Sequence, residues 1–313
     1  MIAITRQTTP FATMVLVITI AATFIRLYLN PFELETEFCR YMPLWWQAVI
    51  SSLLIFATAI VVNRTAVKMG ILSGFGTLPV SLYAFLSCGI LLTTNLLTAT
   101  VAATLTAFGL MHMLKSIVAF DDKQSLFTGA LCLGTAVIVQ PACIAFVWAL
   151  TMAIFIFPLS MRKIIITFTG FFIPLVAVSY VNWYMGGSIT DIATHIIATL
   201  SRPVAWELDQ LPIVTAALAL LLGVIVAFGI LSSIHNRYSL LVSVRKTIQI
   251  VSWFMLSAIP TLLLPCGGTA MIATIAVPAT IVAAFAIDRM EQNVANIAYG
   301  LIIVLVLAHL FIY

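Results

Sequence analysis

The chain has 313 residues, of which 63% are hydrophobic and 8% charged, with a formal net charge of +4. A soluble domain carries about 25% charged residues, so this composition excludes a globular protein surrounded by water. The same hydrophobicity excludes an intrinsically disordered chain. We therefore expect membrane lipid, and not nucleic acid, to be the partner of most of this surface.

Long apolar runs account for most of the chain. The core of a bilayer is crossed by about 20 apolar residues in a helix, and lipid-exposed backbone must form its own hydrogen bonds. A membrane barrel would alternate apolar and polar residues, whereas runs such as LLLGVIVAF at residues 220–228 are continuous. The sequence therefore predicts an all-α, polytopic transmembrane helix bundle, with residues 1–313 as a single transmembrane domain.

About eleven spans are expected. The apolar runs lie at 10–29, 44–63, 77–93, 96–116, 125–140, 142–159, 164–181, 211–233, 247–264, 269–287 and 294–312. Arg6 precedes the first run and no small-residue cleavage pattern follows it, so this run is predicted to stay in the protein as a span.

The stretch 125–159 is interrupted by Gln140 and Pro141 and is predicted to cross the membrane twice. Lys123 precedes the stretch and Arg162 follows it, so two passes return the chain to the basic side, as the positive-inside rule requires. A re-entrant pair is the alternative.

The basic residues place the N-terminus in the cytoplasm. With this orientation the inner side holds Arg6, Arg64, Lys68, Lys115, Lys123, Arg162, Lys163, Arg237, Arg245, Lys246 and Arg289, and the outer side only Arg26, Arg40 and Arg202. Cytoplasmic loops carry the excess of lysine and arginine in membrane proteins, so the split favours this topology.

Two longer connections lie outside, at about residues 30–43 and 182–210. The second has apolar residues at helical spacing (Ile189, Ile192, Ile196 and Leu200), with Asp191, His195 and Arg202 on the opposite face. This pattern predicts an amphipathic helix lying in the outer membrane interface.

These two loops hold the candidate site. A carboxylate near apolar surface can have a raised pKa and act as a base, so Glu33, Glu35 and Glu37 are the candidate catalytic residues. A guanidinium suits a phosphate, because its planar fork of donors matches the phosphate oxygens. The candidate substrate-binding residues are therefore Arg26, Arg40 and Arg202, together with Asp191 and His195.

Cofactors are not specified by the sequence. The five cysteines have no metal-ligand spacing, so no metal site is predicted, although a carboxylate cluster could hold a divalent cation together with a substrate phosphate. The sequence contains no nucleotide-binding glycine motif, which argues against ATP-driven transport by this chain.

Residues 125–187 read S-L-F-T-G-A-L-C-L-G-T-A, Q-P-A, S-M-R-K, T-G-F-F-I-P-L and Y-V-N-W-Y-M-G-G in order. This stretch resembles the C-type integral membrane glycosyltransferases, which use polyprenyl-phosphate-linked sugars. In that superfamily a Gly-rich short helix, a Pro-initiated helix, a basic inner loop and a Gly-Pro helix follow in this order. The resemblance implies a catalytic acid in the first external loop, where Glu33, Glu35 and Glu37 stand, and a mobile loop after the seventh span.

The chain departs from that pattern in its short first external loop of about 14 residues, and in having glutamates where the glycosyltransferases commonly have aspartate. Most of the chain also resembles a family of uncharacterised bacterial inner-membrane proteins, through V-V-N-R-T-A-V-K at 61–68, N-L-L-T-A at 95–99 and the 125–180 segment. That resemblance implies a location in the bacterial cytoplasmic (inner) membrane.

Three functions are weighed. The first is transfer of a sugar from a polyprenyl-phosphate carrier at the extracytoplasmic face. The second is a non-catalytic subunit of a cell-envelope or secretion assembly. The third is a lipid or small-molecule transporter, which would need a polar path through the bundle and usually an internal repeat.

Overall fold

The computed structural model describes residues 14, 17, 18, 21, 43–72, 76–90, 96–118, 122–156, 161–201, 213–235, 240–263 and 271–312. In chain order from residue 43, the described helices are α1 (Leu44–Lys68), α2 (Leu78–Ile90), α3 (Leu96–Val118), α4 (Lys123–Val139), a 3-10 helix (Pro141–Ala145), α5 (Phe146–Ile156), α6 (Met161–Tyr184), α7 (Asp191–Leu200), α8 (Ile213–His235), α9 (Val242–Leu263), α10 (Met271–Arg289) and α11 (Gln292–Ile312). No strand occurs within these residues.

The all-α prediction is confirmed, because each apolar run from 44–63 onward coincides with a helix. The run at 10–29 lies outside the described residues apart from four helical positions. Among the described helices, α1, α3, α6, α8 and α10 are long and apolar enough to cross a membrane. The chain is therefore a helical membrane protein, and the total of eleven spans stays a prediction.

Helix α10 forms the centre of the bundle. It packs against α1, α2, α3, α8, α9 and α11, and 83% of its membrane-crossing window is buried, against 22% for α6. Alanines such as Ala276 and Ala283 and the β-branched Val277 and Ile281 face its neighbours. A helix that is apolar on all sides is stable either among other helices or against lipid, so the two helices differ in packing and not in hydropathy.

Glycines bring α3, α4 and α6 into close contact. A Cβ added at Gly129 of α4 would lie 2.9 Å from the carbonyl oxygen of Gly109 in α3. A Cβ at Gly170 of α6 would lie 2.8 Å from the carbonyl oxygen of Phe127 in α4. Small residues let helix backbones approach in this way, and van der Waals packing then replaces the hydrophobic effect that lipid surroundings do not supply.

Buried hydroxyl groups are mostly satisfied within their own helix. Thr65 and Thr106, for example, donate to the carbonyl oxygens of Val61 and Ala102, one turn earlier. Thr58 of α1 and Thr104 of α3 additionally form a hydrogen bond of 2.9 Å between helices. Such bonds average about 0.6 kcal/mol in membrane proteins, so this one positions α1 against α3 more than it stabilises the bundle.

The end of α1 is closed by a glycine in a left-handed conformation. Gly70, with φ of 66°, donates its N–H to Val67, and Ile71 donates to Ala66. This is a Schellman motif, which needs glycine because a Cβ is strained at positive φ. The motif brings the end of α1 to the start of α9, where a Cβ at position 70 would lie 3.7 Å from Val244 Cγ2.

Helices α3 and α4 form an antiparallel hairpin. Lys115 near the end of α3 pairs with Asp122 before α4, with 3.4 Å between Nζ and Oδ2. Asp122 also caps α4, because its carboxylate accepts hydrogen bonds from the hydroxyl and the backbone N–H of Ser125. These two bonds, and then Lys115, lower the pKa of Asp122 from 3.8 to about 2.

The described basic residues gather at one end of the bundle, here termed the basic end. They are Arg64, Lys68, Lys115, Lys123, Arg162, Lys163, Arg245, Lys246 and Arg289, and they lie where α1, α3 and α10 end and where α4, α6 and α9 begin. Helix α7, which follows α6, packs on the 3-10 helix that follows α4, so α4 and α6 run in the same direction. The opposite end, where α6 ends, is termed the aromatic end.

Candidate functional site

The break between α4 and α5 lies at the aromatic end. Pro141 has no N–H and cannot continue α4, and the residue before a proline is pushed towards extended backbone. Gln140 accordingly has φ of −139° and ψ of 103°, and a 3-10 helix follows from Pro141 to Ala145. The break therefore has a local cause in the Gln140-Pro141 pair.

Beyond the break, the chain leaves the helices that pack on α4. Helix α4 packs on α3 and α6, whereas α5 packs on α9, where the rings of Phe146 and Phe254 are 5.6 Å apart. With 17 residues, α4 is about 25 Å long. The 3-10 helix and α5 together span about 26 Å. Neither segment is among the five long spans, so the two-pass topology of this stretch stays a prediction.

Gln140 is the polar side chain at the centre of this break. Its side chain is 5% exposed, and its Oε1 has no hydrogen-bond partner among the described residues. Leaving a buried acceptor unsatisfied costs about 1–3 kcal/mol, so such a group in a native structure calls for a reason. A water molecule or the hydrogen-bond donor of a ligand would satisfy it.

Helix α7 packs on the 3-10 helix and on α6. Ile196 is 8% exposed, and Ile192 and Leu200 are half-buried against the core. The amphipathic helix predicted from the isoleucine spacing is thus confirmed as a helix with one packed face. Ile189 does not belong to that face, because it precedes the first turn of α7 and is 55% exposed.

Asp191 joins the start of α7 to the end of α6. Its Oδ2 accepts a hydrogen bond of 2.6 Å from the backbone N–H of Ser188 and one of 3.0 Å from Nδ2 of Asn182. The Asn182 amide also donates to the carbonyl oxygen of Ser188 at 2.9 Å, and Gly186 makes the turn with φ of 94°. The structure therefore gives the Asp191 carboxylate a positioning role for α7.

His195 lies one turn after Asp191 on the exposed side of α7. The other candidate residues, Glu33, Glu35, Glu37, Arg26, Arg40 and Arg202, lie outside the described residues. Within the described part of the chain, no group of three His, Cys, Asp or Glu side chains could hold a metal ion.

The second half of α6 presents an apolar surface beside α7. Phe172, Val176, Tyr180 and Trp183 are 48%, 64%, 57% and 53% exposed, and the rings of Tyr180 and Trp183 are 5.8 Å apart. With 24 residues, α6 is about 36 Å long, about 10 Å longer than α4. Tyrosine and tryptophan prefer the membrane–water interface, so the aromatic end has the composition expected there.

The candidate site is therefore the break at Gln140–Ala145, the helix α7 that packs on it, and the exposed half of α6. The sequence indicated the break and the amphipathic helix, but not that they touch, nor that Gln140 is buried with an unpaired oxygen. The signal that points to Gln140 is an amide directly before a proline inside an apolar stretch. Comparison of the chain with known protein families, curated proteins and solved structures finds no match.

Proposed function

We propose that the protein binds a polyprenyl-phosphate-linked sugar at the aromatic end and transfers the sugar to an acceptor outside the cytoplasm. The observation that carries this proposal is the contact between α7 and the helix break, next to the exposed half of α6. A lipid-linked sugar has a long apolar chain and a polar head. The aromatic end offers both, because the apolar face of α6 lies beside the polar, exposed side of the amphipathic helix α7.

The resemblance to the C-type glycosyltransferases supports the same proposal. Its elements correspond to α4 with its glycines, the 3-10 helix begun by Pro141, the basic Arg162 at the start of α6, and α6 with Gly170 and Pro174. These elements are neighbours in the fold, because α4 packs on α6 and α7 packs on the 3-10 helix.

In the proposed reaction, one carboxylate among Glu33, Glu35 and Glu37 accepts the proton of the acceptor hydroxyl. The acceptor oxygen then forms a bond to the anomeric carbon while the bond from that carbon to the carrier phosphate oxygen breaks. The electron pair stays on the phosphate, whose charge Arg202 stabilises together with Arg26 or Arg40. A divalent cation bound to the same phosphate would supply further charge stabilisation.

The proposed location is the cytoplasmic (inner) membrane of a bacterium, with the basic end in the cytoplasm. The gathering of the described basic residues at that end supports this orientation through the positive-inside rule. The aromatic end, with α7 and the break, then faces the outer leaflet, where polyprenyl-phosphate sugars serve extracytoplasmic transfer.

Native mass spectrometry of the detergent-purified protein tests the proposal. We expect a polyprenyl-phosphate or polyprenyl-phosphate-sugar mass on the wild-type protein, its loss in Arg202→Ala, and its retention in Arg162→Ala at the basic end. One of Glu33→Gln, Glu35→Gln and Glu37→Gln should keep the lipid but lose sugar transfer. Absence of the lipid from the wild type, or its retention in Arg202→Ala, would reject the site.

A second candidate is a non-catalytic subunit of a cell-envelope or secretion assembly. The observation in its favour is that large side chains on nearly opposite sides of the second half of α6, such as Val181 and Trp183, are exposed among the described residues. A transmembrane helix of a partner would fit there. A photo-crosslinker at Val176 should then capture one defined partner, while the same group at Val224, on the exposed side of α8, captures none. The variants Glu33→Gln, Glu35→Gln and Glu37→Gln should leave the function of the assembly intact.

A further inference from the structure

The end of α1 contacts the start of α9 at the basic end, and both helices carry cations close in sequence to this contact. Arg64 and Lys68 are one helical turn apart on α1 and therefore share a face. The Schellman motif at Gly70 places the end of α1 against Val244, the residue before Arg245. Arg64, Lys68 and Arg245 are here termed the three-cation patch.

The patch has no acidic partner among the described residues. Arg64 and Lys68 are exposed and Arg245 is half-exposed, and no described carboxylate forms an ion pair with any of them. Asp122, at the same end, is occupied by Lys115 and Ser125. The other described acids of that end are Asp288, in the last turn of α10, and Glu291, in the link between α10 and α11.

Exposed apolar side chains border the patch. Leu241 and Val242, directly before the patch on α9, are 74% and 57% exposed. A soluble phosphate would make no use of this apolar surface. A phospholipid would cover it with its acyl chains while its phosphate lies against the cations, and it is therefore the occupant whose chemistry fits both parts.

We propose that the three-cation patch binds the headgroup of an anionic phospholipid, which bridges the end of α1 and the start of α9. The guanidinium groups of Arg64 and Arg245 each offer a planar fork of donors to phosphate oxygens, and Lys68 adds a further positive charge. This site lies at the basic end, so it is independent of the function proposed for the aromatic end.

The test uses the full chain in lipid nanodiscs made of phosphatidylcholine with or without phosphatidylglycerol. We expect phosphatidylglycerol to raise the unfolding temperature of the wild type, and to leave that of the triple variant Arg64→Gln, Lys68→Gln, Arg245→Gln unchanged. Each basic residue near the membrane surface contributes roughly fivefold to the affinity for an anionic lipid. In native mass spectrometry the triple variant should therefore bind phosphatidylglycerol about a hundredfold more weakly than the wild type does.

The matched control is Arg162→Gln with Lys163→Gln, which removes two cations from the same end on α6. It should keep the full shift caused by phosphatidylglycerol. Glycerol phosphate added to phosphatidylcholine discs should not change the unfolding temperature. If it raises the unfolding temperature, the ligand of the patch is a soluble phosphate and not a lipid. If the triple variant does not fold, Arg64→Gln and Lys68→Gln singly should each weaken binding. Equal shifts in patch and control variants would overturn the proposal.

Discussion

The carbonyl oxygen of Phe171 in α6 occupies the space that a Cβ would need at Gly134 in α4. The carbonyl oxygen belongs to the backbone of α6, and a Cβ is fixed directly to the backbone of α4, so no side chain can rotate away to make room. We expect Gly134→Ala to separate α4 from α6 and to destabilise the protein by about 1–3 kcal/mol, as overpacking does. Thermal unfolding in detergent measures the loss.

The control for that substitution is Gly223→Ala in α8, where an added Cβ meets nothing within 4 Å. There the change only removes the conformational freedom that glycine has in the unfolded chain, and this removal stabilises the helix by up to about 1 kcal/mol. The two variants should therefore shift the unfolding temperature in opposite directions. An unchanged unfolding temperature for Gly134→Ala would mean that α4 and α6 are not in backbone contact.

Asp122 should make the stability of the α3–α4 hairpin dependent on pH. The pKa of this carboxyl group, which lies outside the spans, is lowered from 3.8 to about 2, chiefly by the Ser125 hydroxyl. A lowered pKa in the folded state contributes stability above pH 3.8, and that contribution is lost as the pH falls towards 2. The wild type should thus exceed Asp122→Ala in stability at neutral pH, with the difference closing between about pH 4 and 2.

Two further variants separate the contributions to that pKa. Ser125→Ala removes the largest contribution and should narrow the pH-dependent window more than Lys115→Met does, because the lysine contributes less. Acid unfolding curves of the four proteins check this order. If Lys115→Met narrows the window more than Ser125→Ala does, then the ion pair, and not the helix cap, is the main cause of the lowered pKa of Asp122.

Gln140→Met should stabilise the ligand-free protein. Methionine has nearly the shape of glutamine and needs no hydrogen bond, so the substitution removes the cost of the unpaired Oε1, about 1–3 kcal/mol. The matched control is Gln124→Met near the start of α4, where the side chain is exposed and little change is expected. A lower unfolding temperature for Gln140→Met would show that the amide makes a stabilising contact, such as one to bound water.

Asp191→Ala should release α7 from the end of α6. The variant loses the acceptor for the Ser188 N–H and the Asn182 amide, so backbone exchange over residues 186–201 should quicken by about tenfold. Hydrogen exchange with mass spectrometry measures it. His195→Ala, one turn away on the exposed side, should leave exchange unchanged. Equal rates in the two variants would contradict the positioning role of Asp191.

The positions of the helices follow directly from the sequence, because an apolar run in lipid must be helical and the polar links between runs are short. The amphipathic α7 was equally predictable, since three of its four spaced apolar residues, Ile192, Ile196 and Leu200, do pack inward. Ile189 was assigned to the same face wrongly, because spacing alone does not show that the Asp191 interactions start the helix two residues later.

Which helix is central could not be predicted. Every run is apolar, so hydropathy does not separate α10, buried on all sides, from α6, largely exposed. The distinction arises from tertiary packing, in which backbone contacts at Gly109, Gly129 and Gly170 bind α3, α4 and α6 into one layer. The unpaired oxygen of Gln140 is likewise a property of the assembled bundle, since its burial depends on the helices that pack around the break.

The central position of α10 has a consequence for synthesis. A ribosome produces the chain from the N-terminus, so α1, α2 and α3 are complete long before Met271–Arg289 is made. Until then the surfaces that these helices later bury against α10 face lipid or the insertion machinery. The central contacts of the bundle therefore form late, when α10 inserts between helices that were made earlier. A nascent chain stalled before residue 271 should remain loosely packed and accessible to membrane proteases.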